Sequence, residues 1–341
     1  MDRVLAAEPA AEPVKTPAPT PPEPSLRPRH RVTAWAAGLL LPVPALLTAC
    51  RLLGTDAVTP VPQLLSLLPW CAVPAALGLL LAAAARRRAL GAVAAVVLAA
   101  TLWTALPYGP DATGAHGPVV ARLRVLASNV EFGEATGALV TTIRRERPQL
   151  VFVSECDRAC GRTLTTAFAE ELPHYASVEA DGSAGSVILS AYPLRDWRML
   201  PSAMGMPGAT AEIGGRSVRL QLAHPLPPLP GQVHLWKREL GLVEDAAAHE
   251  GPLLIAGDFN ASQDHAAFRS VLDAGDLHDA ARLTGASRTP TWPMEGPVPP
   301  YVQIDHVLVS EDFTARDTRF PDLPGTDHRA VVTDLDLHTG R

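Results

Sequence analysis

Apolar and polar positions follow two different patterns along this chain. Three long runs, residues 32–53, 64–85 and 89–106, are almost uncharged and rich in Ala, Leu, Val and Pro. Each is near the ~20 residues that cross a hydrocarbon layer, and together they predict three transmembrane helices. Beyond Ala121 the text changes to short runs bounded by turn residues. "RLRVLASNV" (122–130), "QLVFVSE" (149–155), "GSVILSAYPL" (185–194), "PLLIAGDFN" (252–260) and "YVQIDHVLVS" (301–310) predict strands. "AEIGGRSVRLQLAH" (211–224) predicts a hairpin about Gly214 and Gly215, and "TDHRAVVTDLDL" (326–337) a final strand. Amphipathic stretches at 137–148 and 233–249 predict helices between them.

The resulting organisation is a Pro/Ala-rich tail (1–31), a membrane unit (32–107), a Gly/Pro linker (108–118) and an α/β domain (119–341). The tail has little to bury and is expected to be disordered. Arg27, Arg29 and Arg31 precede the first run, and Arg86, Arg87 and Arg88 separate the second from the third. The positive-inside rule then places the N-terminus in the cytoplasm and the α/β domain outside a multi-pass cell membrane. The Ala- and Arg-rich text suggests a high-GC bacterium. Of the 341 residues 47% are apolar and 19% charged. The net charge of −6, with no run of more than two basic residues after Ala121, disfavours a nonspecific grip on nucleic acid.

The predicted strands repeatedly end on residues suited to chemistry: Asn129, Glu155, His224, Asp258 with Asn260, and Asp327 with His328. Taken singly, such residues are most often turn or helix caps. Recurring at the ends of strands in one domain, they point to a shared rim. On extended backbone residues 258 and 260 would face one side, so a carboxylate and a carboxamide could address one target. Alternation in 301–310 sets Asp305 on one face and His306 on the other.

"SNV" (128–130), "VSE" (153–155), "AH" (223–224), "GDFN" (257–260), "IDHV" (304–307) and "TDHRAV" (326–331) resemble, in order, the motifs of the endonuclease/exonuclease/phosphatase superfamily. The resemblance covers about 121–338 and implies a four-layer α/β sandwich with divalent-metal-dependent phosphoester hydrolysis. It implies Glu155, Asn129 and Asp327 as metal-site residues, Asn129 either as a ligand or as a donor to Glu155. Asp258 would be the general base, Asn260 a phosphate donor, His328 and His224 phosphate-contacting groups, and Asp305 the carboxylate orienting His328. Hard oxygen donors favour Mg²⁺ or Mn²⁺. Cys156 and Cys160, directly after Glu155, could form a disulfide outside the cell.

Three apolar runs before such a domain resemble bacterial membrane proteins associated with glycopeptide resistance. That resemblance implies a bilayer partner and a phosphorylated envelope lipid, such as a polyprenyl pyrophosphate, as substrate. An extracytoplasmic nuclease and a non-catalytic envelope-binding domain are the alternatives.

Overall fold

A computed structural model describes residues 28–340. The expected tail therefore lies outside the described residues, except for its last four positions, which open the helix Pro28–Leu40. Twelve strands follow Ala105. They are β1 (Val119–Asn129), β2 (Leu150–Ser154), β3 (His174–Val178), β4 (Ser186–Ser190), β5 (Leu194–Met199), β6 (Pro207–Ile213), β7 (Arg216–Ala223), β8 (Leu253–Asp258), β9 (His278–Asp279), β10 (Asp305–Val309), β11 (Phe313–Arg319) and β12 (Val331–His338). They form two six-stranded sheets, ordered β11-β12-β1-β2-β4-β3 and β5-β6-β7-β8-β10-β9.

The layers follow from alternation. Leu123, Val125 and Ala127 of β1 meet Leu254 and Ala256 of β8, Leu220 and Leu222 of β7, and Val307 of β10 in a core between the sheets. The opposite face of the first sheet, with Leu126, Val151 and Val153, buries Leu139 and Ile143 of the helix Thr136–Glu146 and Leu164 of the helix Arg158–Ala167. The opposite face of the second, with Ile255 and Leu308, buries Trp236 and Leu240 of the helix Val233–Ala247 and Phe268 of the helix Ala266–Ala274. Two sheets with helices outside each give an α/β sandwich.

Each sheet holds one parallel pair, β1 with β2 and β7 with β8. Each pair is joined by a crossover helix, as parallel neighbours require. In-register partners at the ends of these pairs are Asn129 with Ser154 and Ala223 with Gly257. The residues just beyond, Glu155, His224 and Asp258, therefore emerge at one edge. Strand β10 runs antiparallel to β8 with Asp305 directly opposite Asp258.

The expectation of three transmembrane helices is corrected. The segment 30–53 is the one helix among the described residues long and apolar enough to cross a membrane, by length and composition only. The other two, Leu68–Ala84 and Arg88–Thr104, are 17 residues each. At ~1.5 Å per residue they fall short of the ~30 Å hydrocarbon layer. The second run is also not one continuous α-helix: Pro69 opens a short 3-10 turn, Leu68–Cys71, before the α-helix Ala72–Ala84 begins.

Polar bonds then tie these segments to the α/β domain. Asp56, fully buried, pairs with Lys237 Nζ at 2.9 Å and accepts Ala267 N–H at 2.8 Å. Trp70 Nε1 donates to Tyr301 O, and Pro62 O contacts His265 Nε2 at 2.8 Å. A multi-pass membrane location falls with the three spans.

Candidate active site

Asn129, His224, Asp258 and Asp305 share one orientation because each lies in phase with the apolar residues facing the interlayer core. They continue the rows Val125–Ala127, Leu220–Leu222, Leu254–Ala256 and, backwards along β10, Val309–Val307. All four side chains are buried at the edge of that core.

Glu155 is one position out of phase. Its positive φ of 54° swings the chain so that its carboxylate joins the others. Asn129 Nδ2 donates to Glu155 Oε1 at 3.1 Å and to Asp258 Oδ2 at 3.2 Å. Asn129 Oδ1 accepts Glu131 N–H at 3.0 Å, so the amide NH₂ is the end turned to the carboxylates. In this arrangement Asn129 is a donor. Glu155 Oε2 accepts Phe132 N–H at 3.3 Å, and His224 Nε2 lies 3.6 Å from Glu155 Oε1. Burial pushes the Glu155 carboxyl up, but His224 and the Asn129 amide outweigh it and hold the group below its usual value.

Behind Glu155, Cys156 and Cys160 are joined by a disulfide, and Asp157 caps the next helix by accepting Cys160 N–H at 2.8 Å. Both devices fix the turn that carries Glu155.

Asp258 is the last residue of β8, and its two oxygens divide their work. Oδ1 accepts Asn260 N–H at 2.8 Å; Oδ2 faces Asn129 and stands 3.7 Å from His328 Nε2. Burial pushes this carboxyl upward, opposed by His328. Gly257 permits the approach: at φ 144°, a Cβ there would sit 2.2 Å from Ala223 O on the neighbouring strand.

The two-residue spacing of Asp258 and Asn260 does not act through extended backbone. Asn260 has φ 47°, its Nδ2 donates to Pro225 O at 3.0 Å, and its carbonyl accepts Trp236 Nε1–H. Asp258 thus both closes a turn and presents an oxygen to the site.

Opposite stands His328. Its Nδ1 donates to Asp305 Oδ2 at 2.9 Å, and its backbone N–H is held by Thr326 Oγ1. Burial alone would lower the His328 pKa; Asp305 first and Asp258 next overcome it and raise it to about 10. Asp327 Oδ2 accepts Trp292 Nε1–H at 2.7 Å, leaving Oδ1 at 3.6 Å from His328 Nε2.

His306 points away, as its register requires: Nδ1 meets Asp279 Oδ2 at 2.8 Å, and its ring lies against Phe268. Glu131 escaped the sequence reading. Its Oε2 accepts Asp327 N–H at 2.9 Å, so it links the Asn129 turn to the Asp327 turn. Burial raises its pKa, despite that bond. Its sole signal was its place two residues beyond Asn129.

Asp258, Asp305 and His328 offer ligand atoms within 4.8 Å of one another, a cluster able to hold a divalent ion such as Mg²⁺ or Mn²⁺. Fully buried polar atoms without partners converge on the same edge: both ring nitrogens of His224 and Asp305 Oδ1. Buried polar groups are rarely left unpaired, so this edge is built to receive polar or charged ligands.

A buried carboxylate–imidazole cluster at the open edge of a two-sheet α/β sandwich is an arrangement consistent with a hydrolase. The chain belongs to the Endonuclease/Exonuclease/phosphatase family, which it matches over residues 126–328. Among solved structures, D. rerio TDP2 complexed with single strand DNA product is similar with a TM-score of 0.53 and 15% identity, over 63% of this chain and 99% of that one. An endonuclease/exonuclease/phosphatase from Beutenbergia cavernae DSM 12333 gives 0.51 and 20%, over 64% and 72%. A Bacteroides thetaiotaomicron VPI-5482 mannosyl-6-phosphatase gives 0.50 and 15%, over 62% and 99%. At these identities the likeness is one of fold. No curated protein matches the chain by sequence.

These matches reach the superfamily and lend no support to a glycopeptide-resistance membrane protein. The expected bilayer and phosphorylated-lipid partners are likewise corrected. TDP2 proteins recur among the structures of this fold, and one of them holds a DNA product.

Proposed function

We propose that this chain hydrolyses phosphodiesters of single-stranded nucleic acid with a divalent ion as cofactor. The observation that carries the hydrolase reading is the convergence of Glu155, Asp258 and the Asp305–His328 pair on an edge whose remaining buried polar atoms, on His224 and Asp305, lack protein partners. The nucleic-acid reading draws on the TDP2–DNA likeness and on Phe132. That ring is 52% exposed beside Glu155 and offers a face on which a base can stack. The net charge of −6 fits a few nucleotides held at a local site better than a long electrostatic track.

Glu155 and Asp327 would hold Mg²⁺ or Mn²⁺ through hard oxygens at the edge of the Asp258–Asp305–His328 cluster, whose imidazole keeps its proton. Such an ion, when bound, withdraws charge from the phosphoryl group and its leaving oxygen. The residues do the rest. Asp258 Oδ2 orients the attacking water and accepts its proton, and the Asn129 amide fixes that carboxylate. His328, held protonated by Asp305, donates through Nε2 to a phosphoryl oxygen. His224 supplies a second imidazole contact from the opposite sheet edge. The Asn260 side chain retains one amide hydrogen for the phosphate after its bond to Pro225 O.

The test is a purified full chain incubated with Mg²⁺ and end-labelled single-stranded DNA, beside a duplex and a sugar phosphomonoester. Metal-dependent shortening of the single strand, lost in Asp258→Asn, is the expected result. Turnover of the monoester with the oligonucleotide left intact overturns the diester reading. No turnover of any phosphate ester overturns the hydrolase reading.

A further inference from the structure

A second group of ligand-bearing side chains lies at the far end of β10. Asp276, in the turn after the helix Ala266–Ala274, His278, in the two-residue strand β9, and Glu311, just past β10, bring ligand atoms within 4.8 Å of one another. Asp305 starts β10, and Val309 ends it ~13 Å away at ~3.3 Å per residue, so this group is separate from the catalytic cluster.

His278 gives the group its meaning. Its side chain is more than nine-tenths buried, yet neither ring nitrogen has a hydrogen-bond partner. An imidazole buried without a partner is costly unless something completes it. The two carboxylates in front of it are exposed, and they offer only acceptors. The group borders an open cleft of about 290 Å³ whose lining includes Tyr108, Asp273, Asp276 and His278. The linker passes over the other side, where the bare Cα of Gly114 lets the chain lie against Glu311: a Cβ there would be 3.1 Å from its Oε1.

We propose that Asp276, His278 and Glu311 form a second cation site, for a first-row transition ion of the zinc type. One buried nitrogen and two carboxylates match the borderline preference of Zn²⁺, whereas Mg²⁺ and Ca²⁺ favour oxygen alone. Ligand atoms around a tetrahedral zinc with bonds of ~2.0–2.1 Å lie about 3.3 Å apart. The present spacing closes to that by rotation of the two exposed carboxylates.

A bound ion would fasten edge strand β9 to the exit of β10. Asp279, next to His278, holds His306, whose Nε2 contacts Ala261 O beside Asn260. The cation site therefore braces the outer support of the catalytic loop without entering it.

The experiment uses the chelator-stripped full chain titrated with ZnCl₂, read by calorimetry and by metal content after desalting. The wild type and Asp258→Asn should each retain the equivalent held by this site. His278→Ala should lose it, and Glu311→Gln should bind it at least tenfold more weakly. Zn²⁺ should raise the melting temperature of Asp258→Asn by several degrees more than that of Asp258→Asn/Glu311→Gln. Because Glu311 is exposed, Glu311→Gln remains informative if His278→Ala fails to fold. Identical zinc uptake and melting shifts with and without the Glu311 carboxylate overturn the site, as does loss of all zinc in Asp258→Asn.

Discussion

Asp305 Oδ2 receives the Nδ1 proton of His328 at 2.9 Å, in a pocket where both side chains are almost wholly buried. The pair joins the second sheet, through β10, to the Thr326–His328 turn that leads into the first. With the His328 pKa raised to about 10, the imidazole binds a proton more tightly in the folded chain than in the unfolded one, where its value is about 6.5. Its contribution to stability is thus fully present below pH ~6.5 and is lost as pH rises through about 10. Without added metal, the urea midpoint should fall between pH 7 and pH 10, and should fall less steeply in Asp305→Asn. Parallel slopes for the two proteins would show that the ion pair does not set this pH dependence.

Asp258→Asn keeps the turn-closing oxygen toward Asn260 N–H but removes the proton acceptor. Turnover of the phosphoester substrate should drop at least ~10²-fold, the usual scale for a general base, with unchanged circular dichroism. Asp258→Ala removes the turn bond as well and should also lower the melting temperature. If Asp258→Asn turns over at the wild-type rate, another group handles the water.

Gly257→Ala tests the strand geometry directly. The new methyl would meet Ala223 O at 2.2 Å in a backbone conformation that side chains rarely adopt. Both parallel neighbours are fully buried, so the strands must separate. Destabilisation should exceed ~3 kcal/mol by chemical denaturation, at the severe end for a single substitution. A shift below 1 kcal/mol would mean that β8 relaxes freely.

Asp56→Ala removes the carboxylate that receives both Lys237 Nζ and Ala267 N–H. Leaving a buried N–H unpaired costs roughly 1–3 kcal/mol. The melting temperature should fall, and proteases should cut more readily near residues 105–118, where the helical segments join the α/β domain. Unaltered cleavage would show that Asp56 does not hold the two together.

The alternation of β1, β7, β8 and β10 made the inward phase of Asn129, His224, Asp258 and Asp305 readable from the chain, because a period of two leaves a polar strand end little choice of side. Glu155, Glu131 and Asn260 were less readable. Each sits at positive φ, where the period breaks and the side chain goes where the turn sends it. The apolar runs before residue 107 misled for a different reason. Hydropathy counts residues but cannot tell a continuous span from shorter helices, one of them opening on Pro69, that are tied to a neighbouring domain through Asp56 and Trp70. The left-over valences of His278 were invisible as well, since only packing shows that an imidazole is both buried and alone.

The two parallel strand pairs carry a further implication. One supplies Asn129 and Glu155, the other His224 and Asp258, and each lies in a different sheet. Neither half of the domain possesses a complete reaction centre. The proposed centre is a property of a seam, created only when two independently hydrogen-bonded sheets have closed upon each other. A chain caught half-assembled, with either sheet formed alone, would carry only half of the proposed site.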